Sequence, residues 1–65
     1  MSFYKRLLVE QVELDVKIEK LNIFLDDFDN PETSKEHDNL LHAQLAIMIA
    51  YSSILYARIE LLDNE

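Results

Sequence analysis

The chain contains no cysteine and no glycine, and only one proline among its 65 residues. The lack of cysteine excludes disulfides, thiolate metal sites and cysteine nucleophiles, and nothing argues for an oxidising compartment. The lack of glycine, with a single proline, removes the usual means of making tight turns, hairpin loops and phosphate-cradling loops. Positive charge is also scarce: six Lys and Arg against thirteen Asp and Glu give a net charge of −7. That balance opposes non-specific binding to DNA or anionic lipid, so no direct nucleic-acid binding is expected and a basic partner is electrostatically easier. At 49% hydrophobic and 29% charged residues, the chain is too apolar to be disordered. A single domain of this length has a small core, and without a staple the remaining route to stability is oligomerisation.

What is present reads as two helices around one break. Ser2 is a good N-cap for a first helix running to about Leu25. Its main stripe, Tyr4, Leu7, Gln11, Leu14, Ile18, Leu21, Leu25 and Phe28, alternates steps of three and four and keeps one face toward a partner helix. A thinner row, Val9, Val12, Val16 and Ile23, lies on the other side and is interrupted by Glu19. A lone two-helix hairpin would leave those valines in water. The break is the acidic turn 26–33, where Asp and Asn side chains compete with helical hydrogen bonding and Pro31 disfavours helical geometry at Asn30. Asn30 followed by Pro31, or Thr33 with Glu36 as a capping box, could start the second helix. The Thr33 start is the expectation, giving a helix over about 34–62, roughly 40 Å long.

The second helix is uncharged over the 19 residues from Asn39 to Ala57 and carries three rows at once. One is Leu41, Leu45, Met48, Ser52, Leu55, Ile59 and Leu62; a second is Leu40, Gln44, Ile47, Tyr51, Ile54, Arg58 and Leu61; the third is Ala43, Ala46, Ala50, Ser53 and Ala57. One row suffices for the intrachain seam. The other two call for partners, and the small row permits close helix approach. The expected fold is therefore all-α, an antiparallel two-helix hairpin assembling into a helical-bundle homo-oligomer. Its interface is expected at Val9, Val12, Val16, Ile23, Ala43, Ala46, Ile47, Ala50, Ser53, Ile54 and Ala57.

The uncharged stretch reaches the length of a membrane span. His42, Gln44, Ser52 and Ser53 dilute it, and its flanks carry no Lys/Arg excess, so composition argues against a span and a small membrane protein is only a lesser alternative. The start Met1-Ser2-Phe3-Tyr4-Lys5-Arg6 is not followed by a continuous apolar region, so no signal peptide is expected.

No catalytic constellation is present, and no enzyme activity, cofactor or metal is expected. His37 and His42 lie five apart, about 140° round a helix, too far for joint metal binding. Asp26, Asp27, Asp29 and Glu32 lack the spacing and the glycine of a calcium loop and read as a solvated turn. Tyr4, Tyr51, Tyr56 and Arg58 are of types enriched at interface centres, though the favoured reading is of seam-edge residues with tyrosine hydroxyls reaching water. An oligomer could still gather its few cations into a local basic pocket, since pocket field depends on local charge. Lys17, Lys20, Tyr51 and Arg58 are the candidates for ligand or partner contact.

The runs from Tyr4 to Leu25 and from Leu40 to Leu62 resemble a family of very short phage and prophage proteins related to a reading frame of a crAss-like phage. The resemblance rests on Lys17-Ile18-Glu19-Lys20-Leu21 followed by Phe24, then on Gln44, Met48, Tyr51, Leu55 and Arg58-Ile59. The acidic turn and the apolar Ile47 and Ile49 depart from the family pattern. The resemblance implies a small accessory phage product in the bacterial cytoplasm. The leading expectation is an acidic oligomer that binds and inhibits a host or anti-phage defence protein, its repeated carboxylates occupying a basic groove; the alternative, by analogy of architecture, is an oligomeric sponge for small anionic signals such as cyclic oligonucleotides. A virion assembly factor is a third, weaker alternative.

Overall fold

The computed structural model describes residues 2–26 and 34–64. They form two helices, α1 (Phe3–Leu25) and α2 (Lys35–Asp63), packed antiparallel as an elongated hairpin of 48 × 17 × 15 Å. The N-cap of α1 is Ser2, extended at φ −73° and ψ 157°, and its Oγ accepts a hydrogen bond from the Lys5 amide at 3.1 Å. Ser34 does the same for α2, accepting from the His37 amide at 3.1 Å. The expected start at Thr33 with Glu36 is thereby corrected by one residue. A serine directly before Lys35 caps the His37 amide, one residue beyond the Glu36 amide that the capping box would have used, and Glu36 instead joins Asp38 in the first turn, where acidic groups suit the helix dipole. The alternative start at Asn30 and Pro31, most of the acidic turn, and Phe28 fall outside the described residues.

The seam uses the stripe of each helix that carries the most large aliphatic side chains. Leu7 and Leu14 of α1 and Leu55 and Ile59 of α2 are the buried apolar core, with Tyr4, Leu8, Ile18, Met48 and Leu62 packed against it. Leu55, fully buried, is its centre. Of the three rows on α2, the one from Leu41 to Leu62 closes the hairpin. Those of Leu40 and Ala43 face outward: Leu40 and Ile47 are each 70% exposed, and Ala43, Ala46, Ala50, Ser53 and Ala57 are all exposed. Val9, Val12, Val16 and Ile23 of α1 are exposed as well, as a two-helix hairpin requires.

Two polar residues sit within this seam, Gln11 and Ser52, both buried. Asp15 accounts for them. Its carboxylate accepts from Ser52 Oγ at 2.8 Å, from the Tyr56 hydroxyl at 2.7 Å and from Gln11 Nε2. Tyr4 similarly donates to Asp63 at 2.5 Å, tying the first turn of α1 to the last of α2. By length and composition alone α2 could cross a membrane, and only 17% of its most apolar 18-residue window is buried in the hairpin. Its outer face is therefore available to whatever covers it.

Candidate functional site

At the open end of the hairpin, Phe3, Arg6, Leu7 and Glu10 of α1 and Arg58 of α2 line a cleft of about 200 Å³. Antiparallel pairing makes the site. With Tyr4 held against Asp63, Arg58 falls just over one helical turn further in, beside the first turns of α1. Leu7 forms its buried floor and Phe3, 55% exposed, its aromatic wall. The Arg58 guanidinium lies 5.7 Å from the centre of the Phe3 ring, within cation–π range.

The electrostatics of this end run against the charge of the chain. The start of α1 carries Lys5 and Arg6 and no acidic residue in its first turn, although the helix dipole favours anions there. Lys5, Arg6 and Arg58 thus gather three of the six cations of the chain at this end, beside Glu10, Glu60, Asp63 and the negative end of the α2 dipole, so the end is locally near neutral in a chain of net charge −7. Asp63 is near but engaged: it accepts from Tyr4, whose hydroxyl is pushed above its ordinary pKa by that bond first, then by desolvation and by the carboxylate charge. Glu10 supplies one hydrogen-bond acceptor in the cleft.

Of the residues the sequence proposes for ligand contact, Arg58 lines this cleft. Lys17, Lys20 and Tyr51 are exposed and do not line it; Tyr51 lies one heptad, about 10 Å, from Arg58 along α2. The cleft residues that sequence reasoning passed over are Phe3, Arg6 and Glu10. A usable signal existed: aligning the start of one helix with the end of the other places Arg6 and Arg58 within a turn or two of each other. Tyr4 and Tyr56 do sit at the seam edge, but their hydroxyls donate to Asp63 and Asp15. The water-facing reading of these two is corrected, because each has a carboxylate of the opposite helix within reach.

The model of the Sequestin family matches residues 1–61. Neither a curated protein nor a solved structure matches the chain. The likeness to a crAss-like phage reading frame draws no support from this match, which is to a family of another description.

Proposed function

This chain belongs to the Sequestin family, and from that premise we propose that it is a non-catalytic sequestering protein that holds a small anionic, nucleotide-like ligand. The observation that carries the reading is the convergence of Arg6 and Arg58 with Phe3 at one cleft in a protein of net charge −7. Each part of the cleft suits a part of a nucleotide. Guanidinium groups offer forked donors that match phosphate oxygens, an exposed ring offers a stacking face, and the Glu10 carboxylate suits a base N–H or a sugar hydroxyl. The cleft is smaller than the roughly 300–1,000 Å³ of a complete ligand pocket. One hairpin therefore holds one portion of the ligand, and a second copy completes the enclosure. Self-association of the hairpins through their uncovered faces, in the bacterial cytoplasm, is part of the same proposal, as is a phage role as antagonist of a signal-dependent defence.

A second reading, capture of a basic surface on a host or defence protein, draws on exposed carboxylates such as Glu10, Glu13, Glu19, Glu36 and Glu60. The two part company in titration calorimetry with a panel of linear and cyclic nucleotides. The sponge reading expects saturable heat that weakens about tenfold or more in Arg6→Ala or Arg58→Ala, since hydrogen bonds to charged groups are each worth about 1.5–3 kcal/mol. No heat from any nucleotide, with a salt-sensitive protein recovered from host lysate, would transfer the function to the second reading.

A further inference from the structure

The outward face of α2 contains a pattern that none of the three rows shows by itself. Ala43, Ile47, Ala50, Ile54, Ala57 and Leu61 follow one another in steps of four and three, so they form one stripe, and small and large side chains alternate along it. All six are exposed, the three large ones at 70, 58 and 68%. Reversed end to end, the stripe is its own complement. When two copies of α2 lie antiparallel and centred on Ser52, Ala43 meets Leu61 of the other copy, Ile47 meets Ala57, and Ala50 meets Ile54, and each pairing recurs on the other side of the axis.

We infer that the partner of this face is a second copy of the chain, docked α2 to α2 about a two-fold axis at the level of Ser52. A two-fold interface must be self-complementary, and this stripe meets that demand in size as well as polarity. Alternating large and small residues lets each isoleucine or leucine enter the space above an alanine, the condition for close packing without voids. Sliding the copies by one heptad preserves the match but leaves a pair uncovered at each end. A parallel arrangement sets alanine against alanine and isoleucine against isoleucine, and also Arg58 against Arg58 and Glu60 against Glu60. In the centred antiparallel register Glu60 meets Gln44, and the acidic start of α2, Glu36 and Asp38, overhangs the end of the opposing helix. Ser53, at one edge of the stripe, is already satisfied within its own helix, its Oγ donating to the Ile49 carbonyl at 3.2 Å, and Tyr51 flanks the other edge. The inference rests on the self-association proposed above and specifies which face, which orientation and which register it uses.

Exchanging knob and hole tests it. Ala50→Ile should raise the dimer dissociation constant about tenfold or more by overfilling the space that Ile54 occupies. The double substitution Ala50→Ile with Ile54→Ala, which restores a large residue opposite a small one, should bring it back to within about threefold of the parent while helicity stays unchanged. Because the chain has no cysteine, a mixture of Ala50→Cys and Ile54→Cys chains should form crossed disulfides, and Ala43→Cys alone should not. A double variant no tighter than the single one, or self-linking of Ala43→Cys, overturns the register. A parent chain that sediments as a monomer removes self-association itself, an outcome distinct from a dimer with the wrong pairing.

Discussion

Asp15 organises the centre of the hairpin, accepting side-chain hydrogen bonds from Ser52, Tyr56 and Gln11. The Tyr56 bond first, then those of Ser52 and Gln11, hold its carboxyl below the ordinary carboxylate range against the opposing effect of desolvation. A depressed acid contributes stability above its unfolded pKa, and that contribution is lost as pH falls through the lowered folded value. Tyr56 is the mirror case. Its pKa is raised, chiefly by the bond to Asp15, so its contribution is complete below the ordinary tyrosine value and is lost as pH rises through the folded one. Thermal unfolding followed by circular dichroism should therefore show stability falling on both the acid and the alkaline side. Asp15→Asn should flatten the acid limb, and Tyr56→Phe should flatten the alkaline limb. Little of this was legible beforehand. Gln11 and Ser52 stand in the sequence as polar interruptions of apolar stripes, but which acid they share appears only once the helices are paired. The amphipathic pattern alone gave no reason to choose Asp15 over any other solvent-facing acid.

The helices themselves were read well from spacing, and α2 shows why. Its seam row lies only about 100° round the helix from the Leu40 row and nearly opposite the small row, and the row from Leu41 to Leu62 closes the hairpin because it alone places large aliphatics at nearly every step. The small row is too small to fill a seam with α1. Leu55→Ala is expected to cost about 2–5 kcal/mol, since a fully buried leucine would leave a cavity in a core that, among the described residues, has four buried apolar side chains. In a chain of this size a loss of that order should abolish the cooperative thermal transition. Ala50→Glu should act differently. Ala50 is exposed and glutamate is a good helix former, so helicity should persist while the assembly measured by light scattering dissociates. The cap of α2 was misplaced by one residue because Thr33 and Ser34 are chemically near-equivalent caps, and only backbone geometry distinguishes them.

For the whole molecule, the main fact is how little the hairpin covers. Its buried apolar core is Leu7, Leu14, Leu55 and Ile59, while Val9, Val12, Val16, Ile47, Ile54 and Leu61 stay between 43 and 70% exposed. Each such side chain regains roughly 1.5–3 kcal/mol on full burial. Several per subunit are enough to offset the roughly 4–15 kcal/mol cost of association. Unfolding should in consequence be concentration-dependent, with the melting temperature rising as protein concentration rises. The surplus of apolar rows was legible in the sequence, and the hairpin leaves those rows exposed. The cleft was legible only by aligning the start of one helix with the end of the other, because periodicity within one helix carries no information about the pairing of its ends.

The account stands on this hairpin being one part of an assembly. Equilibrium sedimentation in detergent-free buffer tests that directly. The account predicts a mass that is a multiple of 7.7 kDa, at least a dimer at micromolar concentration, with Ala50→Glu shifting it toward the single chain. A parent chain that remains a folded, helical monomer of 7.7 kDa at millimolar concentration would contradict it.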